Sequence, residues 1–374
     1  MPKRLQRDRA MHMSSRPRLR TQTLIIGGGL SGLSLAAELT RQGHDFVLVE
    51  ARDRLGGRIL TWHIGDAGYD LGPAWFWPGQ PRIADLIGQL GLSWFDQHYA
   101  GELTYKDEHG SVSRGLGFSS MRGSLRLDGG FGALIDTLAA SVHPDRIQLS
   151  MPIQQIARGE DGVIVTAADG RTVHADRVVL ALPPRVAAQL SFVPALPDKA
   201  LSSMLAIPTW MAGQAKAVAI YASPFWRNAG LSGDAMSRRG PMVEIHDASP
   251  AQDGPYALFG FVGLPPQSRK DQMRLRQLVL DQLVRLFGPE AAQPLDLIVK
   301  DWADDPFTAT LEDQQPLFSH PTYGLPSPLM DLWDQALIFA GTEVAPQFGG
   351  YVEGALEAAE QAARLIIYQK VELS

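Results

Sequence analysis

The chain has 374 residues, with 34 Lys and Arg against 40 Asp and Glu for a formal charge of −6, a length that suits about two domains. Hydrophobic residues at 45% and charged residues at 20% are those of a folded globular chain and exclude disorder, collagen-like repeats and coiled coil. No apolar run approaches the roughly 18 residues of a membrane span and the mild acidity gives no general attraction to nucleic acid; the absence of cysteine excludes disulfides, thiolate metal sites, iron–sulfur clusters, a catalytic thiol and any cofactor tethered through cysteine sulfur.

Residues 1–20 carry Lys3, Arg4, Arg7, Arg9, Arg16, Arg18 and Arg20 against Asp8 alone. They read as a solvated, disordered tail, since no apolar stretch follows to form a signal-peptide core. A basic address or an anionic-surface contact is the other reading of that tail, and a cytoplasmic protein is expected. From Thr23 a short apolar strand runs into Gly27-Gly28-Gly29-Leu30-Ser31-Gly32, and Leu33, Leu35, Ala36, Ala37 and Leu39 continue with helical spacing to Gly43. Phe46-Val47-Leu48-Val49 then reads as a second buried strand, closing a βαβ unit that ends at Glu50. Further on, Ile147 to Ile156, Gly162 to Ala167 and Thr172 to His174 read as strands, with a turn at Asp169-Gly170. Arg177 to Leu182 reads as a buried strand stopped by Pro183-Pro184. Arg269 to Phe287 is an amphipathic helix ended by Gly288-Pro289, Ala336 to Ala340 a strand, and Tyr351 to Ile367 a long helix. No linker separates domains, so two interleaved units are expected.

In Gly27-x-Gly29-x-x-Gly32 the first glycine permits a tight turn, the second lets a diphosphate approach the backbone, and the third lets helix and strand pack closely. The helix N-terminus offers free N–H groups to the phosphates, and Glu50 stands where ribose hydroxyls need an acceptor. Gly56-Gly57-Arg58 again combines close backbone approach with a guanidinium for phosphate oxygens. Near the other end, Gly341-Thr342-Glu343 and Gly349-Gly350-Tyr351-Val352 open a second helix whose N-terminus can stabilise negative charge on a reduced flavin.

Together with Asp70-Leu71-Gly72 and Gly350-Tyr351-x-Glu353-Gly354-Ala355, these segments make the chain resemble the flavin-containing amine oxidase family, the monoamine oxidase-like group, from Thr23 to Ile367. The resemblance implies an α/β fold in which a Rossmann-like FAD-binding domain is interleaved with a smaller α+β substrate-binding domain. The boundaries expected are 21–80, 128–205 and 296–374 for the first and 81–127 and 206–295 for the second. It implies that Gly27, Gly29, Ser31 and Gly32 hold the diphosphate, that Glu50 holds the ribose, and that Ala51, Arg52, Gly57 and Arg58 lie on the adenosine and phosphate side. Gly72, Ala74 and Trp75 would pass along the isoalloxazine, the backbone of Ile153 would contact adenine, Gly341 and Glu343 would reach the ribityl chain, and Gly350, Tyr351 and Val352 the flavin pyrimidine. Lys216, in Ala215-Lys216-Ala217-Val218, matches the lysine that reaches flavin N5 through a water, and Trp302 matches a tryptophan beside the flavin. Read without the resemblance, Lys216 is a lone charge in an apolar strand whose head can snorkel to the surface.

Two features depart from that pattern. With no cysteine near Trp302, FAD is expected to be noncovalent. Tyr351 matches one ring of the family's amine cage, but Thr310-Leu311-Glu312-Asp313 offers no partner ring. Arg114, Arg122 and Arg126 read as solvated arginines or, alternatively, as a carboxylate site, and no metal site is expected among the scattered histidines. The expected activity is FAD-dependent oxidation of an amine C–N bond, with hydride transfer to flavin N5, imine hydrolysis and O2 reduced to hydrogen peroxide. Lys216 and Tyr351 are the catalytic candidates. Alternatives on the same fold are desaturation of a C–C bond, oxidation of a cyclic substrate, or FAD binding without catalysis. The expected partners are a small-molecule amine and O2, with a homodimer to be tested and no nucleic acid or membrane.

Overall fold

The computed structural model describes residues 19–115, 117–252, 254–315, 317 and 319–368; most of the basic tail lies outside them. Leu19 and Arg20, assigned to the tail from sequence, instead begin the first strand, Leu19–Ile26, and pair with Val173 and His174. That strand turns at Gly27 into the helix Leu30–Arg41, whose apolar positions Leu33, Ala36 and Leu39 are wholly buried. The chain returns as Phe46–Val49, parallel to the first strand, with Ile26 opposite Val49. Parallel strands packed by helices must bury both faces, which is why residues 24–26 of the first strand and all of Phe46–Val49 are apolar and buried.

The first sheet has eight strands. Thr172–Leu180 lies beside the first strand as one continuous element rather than the two short strands expected. Its first residues pair with Gly162–Ala167 and its last with Leu337–Phe339. Asp176 and Arg177 do not break it because the first strand pairs with it on both sides of Asp176, through Ala175 and Arg177. The C-terminal helix Val352–Tyr368 packs against Leu30–Arg41, so the two helices that follow glycine turns are neighbours. Among the described residues no helix is long and apolar enough to cross a membrane.

The second sheet has seven strands, in the order Asp296–Asp301, Ala215–Tyr221, Tyr256–Val262, Met242–Asp247, Leu231–Ser237, Glu102–Lys106 and Val112–Gly115. Asp296–Asp301, grouped from sequence with the dinucleotide unit, is thus an edge strand here, held by Ala215–Tyr221. One face packs on the helix Gln272–Phe287 through Leu275, Val279, Leu283 and Leu286. That helix starts three residues later than its periodicity suggests because the Asp271 carboxylate caps it, accepting from the Arg274 N–H at 2.9 Å, while Pro266–Arg269 forms a separate short turn. The other face, with Val218, Ile220 and Phe259, packs against Tyr69, Leu71 and Trp75 from the segment that leaves the dinucleotide unit. A long cleft lies between the two sheets.

Candidate functional site

At one end of the cleft is the first glycine turn. Gly29 precedes the helix and has no side chain to cap it, so its first-turn N–H groups face the cleft, which Gly27, Gly29, Leu30 and Ser31 line. Gly32 does not line it. A Cβ there would lie 1.9 Å from the Gly27 carbonyl oxygen, so this glycine serves the packing that shapes the turn. The Ser31 hydroxyl donates to the Ala340 carbonyl and ties the turn to the second sheet-ending loop. Gly57 has φ of +58°, and a Cβ there would sit 3.1 Å from Gly29 Cα; the two glycines leave a floor of bare backbone.

Glu50 is buried and accepts from the Gly28 N–H at 2.7 Å and the Arg52 N–H at 2.9 Å. Arg52 donates to Asp305 and Thr308 and lies over the Phe307 ring. Arg58 and Glu343, from opposite ends of the chain, form an ion pair of 2.6 Å. Glu343 is wholly buried, and its second oxygen, Oε2, has no partner. An orphaned carboxylate oxygen beside a cleft calls for a donor such as a hydroxyl. The capless helix, the bare glycine floor and this acceptor therefore fit the diphosphate and polyol of a dinucleotide cofactor.

Midway, Gly72 sits under the Arg58 carbonyl, 2.0 Å from where its Cβ would be, and its own carbonyl accepts from Lys216 Nζ. Lys216 does not snorkel: it is buried between the Phe259 and Phe261 rings. Burial pushes its pKa down to about 8, opposed by Asp70, whose own carboxyl is pushed up to about 6 by burial. Asp70 accepts from Thr61 and from the Phe131 N–H. The Trp302 indole donates to the Leu71 carbonyl at 2.9 Å. Ammonium and indole thus hold successive carbonyls of the Leu71-Gly72 segment from one side.

Beyond Lys216 the cleft becomes an aromatic chamber, lined by Trp75, Trp77, Trp210, Phe261, Tyr351 and Met121. The whole cleft spans about 1390 Å³, its open mouth included. Tyr351 stacks on His320 at 4.7 Å between centroids and 14° between planes, and meets Trp77 edge-on at 6.2 Å. Thr342 fastens this second glycine turn, accepting from the Gly350 N–H and donating to the Tyr351 carbonyl. Thr310–Asp313, where a partner ring was sought, forms a capping box instead, and the ring stacked on Tyr351 comes from His320.

Of the residues singled out from sequence, Gly27, Gly29, Ser31, Glu50, Arg52, Gly57, Arg58, Gly72, Ala74, Trp75, Lys216, Trp302, Gly341, Gly350, Tyr351 and Val352 line this one cleft. Gly32, Ala51, Ile153 and Glu343 are not among the lining residues; Glu343 reaches it through Arg58. Phe76 turns away into the core, its neighbours Trp75 and Trp77 toward the cleft, as extended backbone alternates. Sequence reasoning missed Trp210, Phe307, Thr308 and His320, which lie in loops with no periodic signal. Arg126 corrects the expectation of solvated arginines. It is buried and donates to the Ala248 and Ser249 carbonyls, whereas Arg122 is exposed over the Tyr99 ring.

A family model described as "Flavin containing amine oxidoreductase" matches residues 30–98 and 93–367. Among curated relatives, a Mycobacterium tuberculosis protein named as the flavin-containing monoamine oxidase AofH is 27% identical over 91% of this chain and 95% of its own length. Putrescine oxidase of Kocuria rosea is 22% identical over 79% of this chain and 85% of its own. Among solved structures, wild-type putrescine oxidase bound to putrescine shares the fold with a TM-score of 0.79 at 21% identity, covering 94% of this chain and 100% of that one. Cyclohexylamine oxidase from Brevibacterium oxydans does so with a TM-score of 0.79 at 23% identity, covering 94% and 99%.

Proposed function

Since the chain belongs to the flavin containing amine oxidoreductase family, we propose that it is an amine oxidase holding FAD noncovalently. It is a flavin-dependent oxidoreductase by family; the substrate class, O2 as acceptor and the residue roles are our reading. One observation carries it: a single cleft joins a dinucleotide-type glycine turn with its buried Glu50 to an aromatic chamber beside a buried lysine.

In this reading the helix Leu30–Arg41 and Arg58 hold the diphosphate, Glu50 the adenosine ribose, and Glu343 Oε2 a ribityl hydroxyl. Ile153 and Ala51 border the adenosine end. When bound, the flavin supplies a two-electron acceptor for the hydrogen leaving the substrate α-carbon. Trp75, Trp77, Phe261 and Tyr351 form an apolar slot that favours a neutral amine over its ammonium and fixes the α-carbon's approach. Tyr351, braced by His320, orients the amine. Lys216, held on the Gly72 carbonyl, keeps a proton and an ordered water at the junction of cleft and chamber, where O2 is reduced. The amine becomes an imine, water hydrolyses it to carbonyl and ammonia or a smaller amine, and O2 leaves as hydrogen peroxide.

Purified protein supplied with a panel of primary amines in air tests this: hydrogen peroxide and aldehyde should form in equal amounts, and acid precipitation should release all the flavin as FAD. Flavin that stays with the precipitate would refute the noncovalent claim, and peroxide without carbonyl product would refute amine oxidation.

A further inference from the structure

The far edge of the second sheet carries a charge that neither the cleft nor the core explains. Lys106 ends the strand Glu102–Lys106 and is only 5% exposed. Its stem is enclosed and its ammonium end comes up near the surface. Among the described residues it has no hydrogen-bond or ion-pair partner. Burial, then the charges of Arg285 and Arg239, hold its pKa below the ordinary lysine value, and no carboxylate offsets them. A lysine enclosed beside two guanidiniums, with no counter-charge, is a standing requirement for an anion.

The sheet register gathers further donors on the same side. Thr104 and Lys106 alternate onto one face, with Arg114 opposite Thr104 and Ser237 opposite Lys106. Arg114 and Lys106 are therefore diagonal neighbours, about 7–8 Å apart. Thr104 is wholly buried, and its hydroxyl has no partner. From the strand Leu231–Ser237 the chain runs on to Arg239, whose guanidinium reaches the His109 carbonyl at 3.5 Å. The helix Gln272–Phe287 covers this face, packing on Ala235 in the row of Thr104. It brings Arg285 in its last turn, and Arg114 donates to its Leu286 carbonyl at 3.3 Å. The local acids are engaged elsewhere: Glu108 lies 3.7 Å from the exposed Arg238, and Asp107 accepts from the His109 and Ser111 N–H groups. The helix C-terminus offers about half a negative charge, which offsets one cation in part and not four.

We propose that Lys106, Arg114, Arg239 and Arg285 form a site for a compact, doubly charged oxyanion, inorganic phosphate or a phosphate monoester. None of the four lines the cleft, and their face is the helix-covered one, opposite to that bearing Lys216 and Phe261. The three guanidiniums present N–H pairs to the oxygens from the rim, and the Lys106 ammonium meets them from below. The site is independent of the amine-oxidising reading.

Inorganic phosphate titrated into the holoenzyme at fixed ionic strength, with chloride as the balancing ion, tests this by calorimetry. Wild type should bind about one phosphate per chain with a Kd below about 1 mM. Lys106→Met and Arg285→Gln, made separately, should each weaken binding at least about 10-fold, the loss expected for a charge-assisted hydrogen bond. Lys106→Met removes the enclosed charge, so in chloride it should melt no lower than wild type while losing the upward shift that phosphate gives wild type. Arg285 is exposed, so its variant decides the matter if Lys106→Met does not fold. Phosphatidylcholine vesicles with and without phosphatidic acid separate the two sources of such a ligand. Capture by the phosphatidic acid vesicles alone, lost in both variants, assigns the oxyanion to a lipid headgroup; phosphate binding without capture assigns it to a soluble phosphate. No binding of phosphate by wild type, or equal affinity in wild type and both variants, would overturn the site.

Discussion

Arg58 and Glu343 stand 285 positions apart in the chain and meet in an ion pair of 2.6 Å. The pair ties the loop after the first βαβ unit to the turn before the C-terminal helix. Removing one partner of such a pair leaves a buried, uncompensated charge, which costs about 3–5 kcal/mol. Arg58→Ala should therefore lower unfolding stability in denaturant by about that much and release flavin on gel filtration. Arg58→Lys, which keeps the charge but loses the planar fork, should retain part of both. A melt of Arg58→Ala that overlays wild type would show the pair to be dispensable.

Lys216→Met should fold and keep its flavin, since the replacement is apolar and of similar length. Reoxidation by O2 should slow by about 10- to 100-fold, a loss of roughly 1.4–2.7 kcal/mol. With the lysine pKa near 8, wild-type reoxidation should slow as pH rises past that value and the variant should show no such step. Stability carries the same signature with a definite sign. The folded pKa lies below the unfolded value of about 10.4, so the unfolded chain binds the extra proton. Stability should rise between about pH 8 and 10 by up to about 3 kcal/mol in wild type relative to Lys216→Met. Parallel pH profiles for the two proteins would return Lys216 to a structural role.

Gly57→Ala probes the floor of the cofactor cleft. The substitution combines a left-handed backbone with a Cβ 3.1 Å from Gly29 Cα, so it should cost stability by about 1–2 kcal/mol and weaken flavin retention more than it weakens the fold. Dialysis of wild type and variant side by side checks this; equal retention would place the diphosphate elsewhere.

Tyr351→Phe should be nearly silent and Tyr351→Ala should slow flavin reduction by roughly 3- to 30-fold, the equivalent of about 0.5–2 kcal/mol of ring stacking and cation–π orientation. Stopped-flow reduction with any amine substrate separates the outcomes. A loss in Tyr351→Phe as large as in Tyr351→Ala would assign the work to the hydroxyl.

The parts legible in the sequence are those whose chemistry is local. Gly27, Gly29 and Gly32 act within one turn, Glu50 caps the adjacent strand, and Lys216 is conspicuous because nothing else in its strand is charged. What could not be read depends on distant segments meeting. The stacking of His320 on Tyr351 joins a loop without periodicity to a glycine turn. Glu353 looks like an ordinary first-turn acid of its own helix, yet it is wholly buried and caps another helix, accepting from the Arg82 and Ile83 N–H groups. Asp296–Asp301 was grouped with the dinucleotide unit although it pairs with Ala215–Tyr221, because a short run such as Leu297-Ile298-Val299 between polar ends does not declare which sheet it joins.

Anaerobic mixing of the holoenzyme with a panel of amines tests the central claim most directly, by following the visible absorbance of the flavin. Amine oxidation in this cleft requires that at least one amine bleach the flavin fully in a single phase, and that admitting air restore the colour with one hydrogen peroxide per flavin. A flavin that photoreduction can bleach but that no amine reduces would contradict the assignment and leave the cleft a flavin site with a different chemistry.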